Sequence, residues 1–173
     1  MVDDPAGSVN LFAASVPPAL QALERAGALL QRPDVGPKEL AARLAPDMFD
    51  CASQLRTVAI FALRCTYPLV GREPEQRQFE VGAFGLRARI GHATGQIGLL
   101  TPKDFNGAET RMISHRAGFA DLTQTGADYL NHFALPNMWF HLSMAYATLR
   151  VSGVPLGKAD FDGLHSYPAG FSF

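Results

Sequence analysis

Apolar residues recur at intervals of three and four along four long stretches of this chain, which is the spacing of one face of an α-helix. Stretches rich in proline, glycine and charged residues separate them. The pattern therefore predicts four long helices joined by short links, as in a four-helix bundle. The predicted helices run from Val16 to about Leu30, from Pro46-Asp47 to about Tyr67, from about Phe79 to Leu100, and from Thr125 to about Ser152-Gly153.

Residues at the ends of these stretches are typical of helix caps. Ser15 precedes the first helix, and Asp47 begins the second, where its carboxylate can accept hydrogen bonds from backbone N–H groups. Pro68 stops the second helix, because the residue before a proline avoids the α conformation. Thr125, with Asp128 three residues later, resembles a capping box and predicts the start of the last helix.

Two short strands are predicted between the third and the last helix. Thr110 to Ile113 and Phe119 to Thr123 lie on either side of the turn signal Ala117-Gly118. The predicted fold class is therefore all-α, a four-helix bundle with a small β-hairpin before the last helix. A chain of 173 residues with 47% hydrophobic residues is long enough for one core, so we expect residues 1–173 to form a single domain.

The third predicted helix is unusually rich in glycine. Each glycine lowers helix stability by about 1 kcal/mol relative to alanine. Three of them share one face, which could let another backbone approach closely, either within the bundle or across a dimer contact. A merely weak helix is the other interpretation. The five glycines are Gly82, Gly85, Gly91, Gly95 and Gly98, and the last three share the face.

The charge of the chain excludes two classes of partner. Fifteen basic and sixteen acidic residues leave a formal net charge of -1, which does not supply the field that nucleic acid or anionic lipid attracts. No apolar stretch is long enough to cross a bilayer, and Pro17 and Pro18 interrupt the region where an export signal needs an unbroken apolar run. We expect no nucleic-acid partner, no membrane partner and a cytoplasmic location.

The two cysteines, Cys51 and Cys65, both fall on the second predicted helix. Their separation along a helix axis is about 21 Å, which is too far for a disulfide. We expect buried free thiols that pack as small apolar side chains.

The last predicted helix carries the strongest chemical signal. Apolar residues occupy nearly every face between Tyr129 and Leu149, so its polar residues are expected to be buried. Asn137 and His141 lie one turn apart on a single face and can act on one ligand together. An imidazole can serve as acid or base, and a carboxamide can orient a carbonyl or hydroxyl group.

Two further residues are candidates for the chemistry at His141. His132 precedes it by nine residues and points to the opposite side of a straight helix, but a wide turn near Pro136 would bring the two histidines to within about 80° of each other. Asp47 could meet His141 across the bundle, or it could only cap its own helix. Either histidine could instead be a core residue with one hydrogen bond.

Three more side chains are candidates for binding a substrate. Gln54 shares a helix face with Asp47 and offers a carboxamide to the same space. Tyr129 and Trp139 offer a hydroxyl and an indole donor near either end of a pocket, although aromatic packing is the more frequent use of such residues. The histidines on weaker elements, His92, His115 and His165, are expected on the surface.

Three stretches of the chain resemble a known family. They are Arg43 to Phe49, Asp104 to Glu109 and, most specifically, Asp128 to His141. The chain is similar, from about Phe12 to Phe161, to the bacterial and fungal family called domain of unknown function 1993, a branch of the DinB/YfiT-like superfamily of four-helix bundles. This resemblance implies a bundle that is often dimeric, so we expect a homodimer.

The same resemblance implies a divalent metal held by three histidines, one on helix two and two that lie four residues apart on the last helix. The corresponding last-helix pair here is Asn137 and His141, and helix two contains no histidine. A carboxamide oxygen is a poorer ligand for zinc or nickel than imidazole. We therefore expect no tightly bound metal; if one is present, the candidate ligands are His132, His141 and Asp47.

Three functions remain open at this point. The preferred one is a small-molecule enzyme of the isomerase, cyclase or lyase type, with His141 as acid or base and Asn137 orienting the substrate. The first alternative is a DinB-like transferase or hydrolase that depends on a divalent metal such as zinc or nickel. The second is a non-catalytic dimeric binding module whose buried polar residues serve only the fold.

Overall fold

Four long helices pack around one hydrophobic core in this structure, a computed structural model that describes residues 10–168 and residue 171. Three short α-helices and a two-stranded hairpin accompany them in the described residues. This confirms the predicted architecture. The helices are α1 (Leu11–Leu30), α2 (Pro37–Ala41), α3 (Cys51–Arg64), α4 (Ala83–Gly98), α5 (Gly126–Asp128), α6 (Leu135–Val151) and α7 (Lys158–Asp162), and the strands are β1 (Met112–Ala117) and β2 (Ala120–Thr125).

The core lies between the apolar faces of the four long helices. Helix α3 packs against α1, α4 and α6, and α1 also packs against α4 and α6. The largest side chains that are almost fully enclosed in the core come from all of these helices and from the segments that join them. They include Leu23, Leu29, Leu55, Val58, Leu69, Ile97, Leu130, Met138, Leu142 and Leu149.

The first helix begins five residues before its predicted start. The side chain of Asn10 caps it by accepting a hydrogen bond from the Ala13 N–H at 3.2 Å. The prediction that Ser15 is the cap was therefore wrong: Ser15 is buried inside the helix, where its hydroxyl donates to the Leu11 carbonyl at 2.6 Å. The apolar pattern simply extends further towards the N-terminus than the prolines of this helix suggested.

The second long helix is capped by Asp50, so the prediction that Asp47 begins and caps it was wrong. The Asp50 carboxylate accepts a hydrogen bond from the Ser53 N–H at 2.7 Å. Asp47 lies in an exposed turn before the helix. A cap must sit directly before the first helical residue, and Cys51, which is buried, is that residue here.

Helix α4 begins at Ala83, four residues after its predicted start, and the segment before it is extended. Gly91, Gly95 and Gly98 face outward, and a Cβ at any of them would meet nothing within 4 Å among the described residues. These three glycines therefore do not serve to let another helix of the bundle approach closely. Gly85 differs, because a Cβ there would collide with the Glu80 carbonyl oxygen.

The hairpin forms as predicted, with strands that are slightly displaced along the sequence. β1 and β2 pair antiparallel, from Met112 opposite Thr125 to Ala117 opposite Ala120. Gly118 takes the left-handed conformation of the turn, with φ at 61°. Thr125 ends β2 and also caps the following helix.

The last helical stretch is continuous but not uniform. Thr125 accepts a hydrogen bond from the Asp128 N–H at 3.2 Å and donates to its carboxylate at 2.8 Å, which confirms the capping box. Between α5 and α6, residues Tyr129–Ala134 form a π-helix, so the wide turn considered for the region of Pro136 is present. The helix ends at Val151, and Gly153 follows with φ at 91°.

Both cysteines are free and buried, as expected. Burial raises the pKa of the Cys51 thiol to about 12 and also raises the pKa of Cys65. Both thiols are thus protonated at neutral pH and do not act as nucleophiles. Within residues 10–168, none of the helices combines the length and apolar character that a bilayer crossing needs.

Candidate functional site

The candidate site lies along the seam where α3 and α6 pack side by side, which we call the α3–α6 seam. The two helices run antiparallel, because Gln54 near the start of α3 meets His141, whereas Phe61 near its end meets Phe133 just before α6. His141 Nδ1 and Gln54 Oε1 are 2.7 Å apart. Gln54 is buried and His141 is half-buried. The structure thus brings two of the predicted site residues together.

Aromatic rings surround the imidazole of His141. Phe49 and Phe61 stack on it, with ring centroids at 6.2 and 5.7 Å and planes tilted by 19° and 24°. Phe140 meets it edge-on at 5.2 Å. Phe61 is buried, whereas Phe49 and Phe140 are about half exposed. The space beside His141 is therefore a slot between rings at the edge of the bundle and not the enclosed cavity expected from the sequence.

This environment fixes the charge and the tautomer of His141. Burial lowers its pKa, so the imidazole is neutral at pH 7. With the Gln54 oxygen as acceptor, the ring proton lies on Nδ1, and Nε2 keeps its lone pair. Nε2 has no hydrogen-bond partner within the described part of the chain. Among the described residues, the buried side-chain nitrogen and oxygen atoms without a partner are Arg111 Nε and His115 Nδ1, so Nε2 of His141 is not fully buried. Nε2 therefore faces solvent.

Asn137 lies one turn before His141 and is half-buried. Its Nδ2 donates to the carbonyl of Phe133 at 2.8 Å, so the amide nitrogen makes a hydrogen bond within its own helical stretch. The side-chain oxygen has no partner among residues 10–168 and 171 and is available as an acceptor. The structure thus places Asn137 beside His141 without a direct hydrogen bond between them.

His132 and Asp47 do not join His141. The His132 side chain is 71% exposed, and its Nδ1 lies 3.6 Å from an oxygen of Asp128 on the solvent side of the helix. The π-helix therefore does not rotate the two histidines together, because His132 lies within the widened turn and stays on its outer surface. Asp47 lies in the exposed turn before α3. The described residues contain no group of three or more His, Cys, Asp or Glu side chains that could hold a metal ion.

Tyr129 and Trp139 are packing residues and do not contact His141. Tyr129 is buried, its hydroxyl donates to the Arg64 carbonyl at 3.1 Å, and burial raises its pKa. Trp139 points to the other side of α6, where its ring lies 6.3 Å from that of Phe161 in α7. The two side chains lie on different sides of the last helix, so the structure does not bring them together at one pocket, and a role for either in binding a substrate stays a prediction.

The rings around His141 and the position of His115 were not predicted from the sequence. His115 was expected on the surface, but it is half-buried against Tyr129 at 4.9 Å and Phe133 at 4.3 Å. Its Nε2 lies 2.7 Å from Gln124 Oε1. The signal was present in β1, because alternation places His115 on the same face as the buried Ile113. Phe49 gave no such signal, since it lies outside any periodic element.

The fold and the seam together define a DinB-like four-helix bundle. A crystal structure of a DinB family member protein from Shewanella denitrificans, determined at 1.83 Å resolution, superposes with a TM-score of 0.67. The two chains are 29% identical, and the match covers 91% of this chain and 90% of that one.

The family itself follows from the sequence match. The family described as "Domain of unknown function (DUF1993)" matches residues 8–162, and the chain belongs to it. No curated protein matches the chain.

The seam does not suit the three-histidine metal site that the superfamily implies. The polar groups at the seam are the carboxamides of Gln54 and Asn137 and the single imidazole of His141. Carboxamide oxygens are weak ligands for zinc or nickel, and the Gln54 oxygen already accepts the Nδ1 proton of His141. The alternative set of His132, His141 and Asp47 does not form a cluster. The donor groups at the seam therefore do not fit a tightly held zinc or nickel ion.

Proposed function

We propose that this protein binds a small organic molecule at the α3–α6 seam and that His141 acts on it as a general base through Nε2, in a reaction of the isomerase, cyclase or lyase type. One observation carries the proposal. The 2.7 Å contact between His141 Nδ1 and the buried Gln54 oxygen holds the ring so that the Nε2 lone pair points to solvent.

The base is suited to accept a proton from a bound ligand. Its lowered pKa leaves the imidazole neutral at pH 7, and the surrounding rings limit its hydration. A positioned base of this kind contributes about 10² to 10⁴ in rate. Gln54 acts as a positioning residue, because it fixes which ring nitrogen carries the proton and does not itself reach the ligand through its oxygen.

Two neighbours complete the proposed site. The Asn137 side-chain oxygen is an unused acceptor one turn away, which can orient a hydroxyl or amide group of the ligand. Phe49 and Phe140 are half exposed beside the imidazole and provide apolar surface for the body of the ligand. A flat or short-chain carbonyl compound fits these surroundings, because its acidic C–H can approach Nε2 while its carbon skeleton contacts the rings.

The experiment follows carbon-bound protons in D₂O. The purified protein is incubated with 2-oxo acids and hydroxyketones, and NMR measures loss of the signal of the proton next to the carbonyl. Exchange with at least one compound should fall by about 10² or more in His141→Asn. His132→Asn is the matched control, because it removes an exposed histidine from the same helical stretch and should retain wild-type exchange.

The stacked rings favour a second role for His141, in which the imidazole only fixes the register of α3 against α6. His141→Phe separates the two roles, since a third ring can fill the slot without the hydrogen bond. A structural role predicts that no carbonyl compound shifts the wild-type melting temperature. Ligand-dependent shifts in the wild type that are lost in His141→Phe support the catalytic proposal instead.

The homodimer stays a prediction. The surface that suits it is the outward face of α4, where Phe84 and Leu99 are each 73% exposed at the two ends of the glycine face. Sedimentation equilibrium of the wild type and of Gly95→Glu measures it directly: a dimer on this face should dissociate when a charge replaces Gly95.

A further inference from the structure

Open space lies beside α3 on the side facing α4. Two clefts run along the two helices, with volumes of about 230 and 260 Å³. They adjoin, because Phe79 and Arg89 line both of them. The extended segment before α4 forms the outer wall. We call this space the α3–α4 groove, and none of the residues that contact His141 lines it.

Arg89 is the central charge of the groove. It is half-buried on α4, and no carboxylate of the described residues lies within 4.0 Å of it to form an ion pair. Burial lowers its pKa, and the neighbouring positive charge of Arg56 lowers it further. Arg56 is exposed on α3, and its guanidinium donates to the Ser53 hydroxyl at 3.3 Å. The two guanidinium groups therefore face the same space, and Arg89 forms no ion pair with a carboxylate of the described residues.

The acidic residues of the groove form no ion pair with Arg89. The Asp50 carboxylate accepts a hydrogen bond from the Ser53 N–H and pairs with Arg43, and the positive charge of Arg56 also helps to lower the pKa of Asp50. Glu75 accepts a hydrogen bond from Gln96 at 3.4 Å. Glu73 and Glu80 are exposed and line only one cleft each, whereas Arg89 lines both. A partly desolvated cation without a partner is unfavourable, so the groove is suited to receive an anion.

Two walls of the first cleft are apolar, and charged residues such as Arg64, Glu73 and Arg77 lie around them. Ile60 and Leu63 of α3 form one wall, and Pro68, Pro74 and Phe79 form another. The Phe79 ring covers the Arg89 guanidinium at 4.6 Å and shields it from water on that side. A ligand with one charged end and an apolar body therefore matches both parts of the groove.

We infer that the α3–α4 groove binds a small organic acid, with its carboxylate on Arg89 and Arg56 and its apolar body against Ile60, Leu63 and Phe79. A guanidinium can hold both carboxylate oxygens through paired N–H donors. The apolar body removes the surface of Ile60, which is 39% exposed, from water. This site is separate from the α3–α6 seam and does not depend on the function proposed there.

Titration calorimetry with sodium octanoate tests the inference on the full-length protein. We expect saturable binding of one octanoate per chain, and much weaker binding of octanol, which lacks the charge. Arg89→Gln should weaken octanoate binding by about tenfold or more. Arg116→Gln is the matched control, since it removes the same charge from an exposed hairpin residue, and its affinity should stay within about twofold of wild type.

Two further variants keep the test decisive. If Arg89→Gln does not fold by circular dichroism, Arg56→Gln replaces it, because that side chain is exposed and its loss should weaken octanoate binding while the fold is kept. Phe79→Ala should weaken octanoate and octanol to a similar degree, because it removes apolar wall and leaves the charge. Equal octanoate affinity in wild type and in the arginine variant, or no saturable binding to wild type, overturns the inference.

Discussion

Helix α3 takes part in two contacts of opposite character. On the α3–α6 seam, Gln54 and His141 form a hydrogen bond with each other, and the Phe61 ring stacks beside the imidazole. In the α3–α4 groove, Arg89 has no carboxylate partner among the described residues, and the space next to Ile60 is open. One helix thus presents a closed polar contact on one side and an open, positively charged groove on the other.

The difference follows from the partner helix. The last helical stretch carries large apolar side chains on most of its surface, so an apolar enclosure there is filled by rings. Helix α4 is rich in small residues, and the polar segment before it is extended instead of helical. That segment cannot close against α3 with interdigitating side chains. The seam is therefore reduced to a half-exposed slot between aromatic rings beside His141, whereas the extended segment leaves a wider groove over α3.

The largest expected effect contrasts two neighbouring residues of α3. Phe61 is 7% exposed on the seam, and Ile60 is 39% exposed in the groove. Phe61→Ala should lower the free energy of unfolding by about 3 to 5 kcal/mol, because it leaves a cavity and removes a ring from His141. Ile60→Ala should lower it by about 1 kcal/mol or less, since much of that side chain is already in water.

Guanidinium unfolding monitored by circular dichroism measures both values for this pair. Phe61→Ala should also raise the pKa of His141 towards its ordinary range, because water then reaches the imidazole. Equal losses of stability in Phe61→Ala and Ile60→Ala would contradict the contrast between the seam and the groove.

Substitution of two glycines of α4 by alanine should give the next largest change in stability. Gly85→Ala should destabilise by about 1 to 3 kcal/mol, because its methyl group would collide with the Glu80 carbonyl oxygen and displace the wall of the groove. Gly91→Ala should stabilise by about 0.5 to 1 kcal/mol, because its Cβ meets nothing within 4 Å of described structure and alanine favours the helix.

Thermal unfolding distinguishes these two signs directly. Gly85→Ala should also weaken octanoate binding, whereas Gly91→Ala should leave it unchanged. If both variants lose stability to a similar degree, the contact between residue 85 and the Glu80 carbonyl is not the cause, and the predicted contrast between the two glycines is wrong.

The sequence predicts the bundle well because periodicity and caps are local properties. Thr125 and Asp128 begin the last helical stretch by hydrogen bonds that span three residues, and these were predicted. The start of α3 was missed, since Asp47 and Asp50 are both acceptable caps and only packing of the next residue distinguishes them.

Prediction of the candidate site was partial for a different reason. The shared face of Asn137 and His141 follows from their spacing, but the pairing of His141 with Gln54 depends on how far α3 slides along α6. The exposed position of His132 depends on where the π-helix begins. The α3–α4 groove depends on the path of the extended segment before Ala83, which no periodic pattern describes.

A smaller effect concerns the start of α3. Phe49, whose ring stacks on His141, directly precedes the Asp50 cap of this helix. Asp50→Ala should lower the free energy of unfolding by about 1 kcal/mol, because the Ser53 N–H loses its acceptor. Asp47→Ala should change it by less than about 0.5 kcal/mol, as expected for an exposed turn residue without a cap contact. Chemical unfolding of the two variants tests the correction made to the predicted cap, and the opposite order of effects would restore Asp47 to that position.

The smallest effect is a dependence of stability on pH at the seam. The folded pKa of His141 lies below that of the unfolded chain, which is about 6.5. Between the two pKa values the unfolded chain binds a proton that the folded chain does not. The stabilisation from the neutral, buried imidazole is therefore fully present above about pH 6.5 and is lost as the pH falls through the folded pKa.

His141→Gln removes this titration, so its free energy of unfolding should fall less steeply than that of wild type as the pH is lowered below 6.5. His132→Gln is the matched control and should keep the wild-type slope, because it leaves His141 and its rings in place. Chemical unfolding at a series of pH values measures the slopes. If wild type and His141→Gln lose stability in parallel, the imidazole is equally hydrated in the folded and unfolded states. The seam would then be open like the α3–α4 groove, and the contrast between the two sides of α3 would not hold.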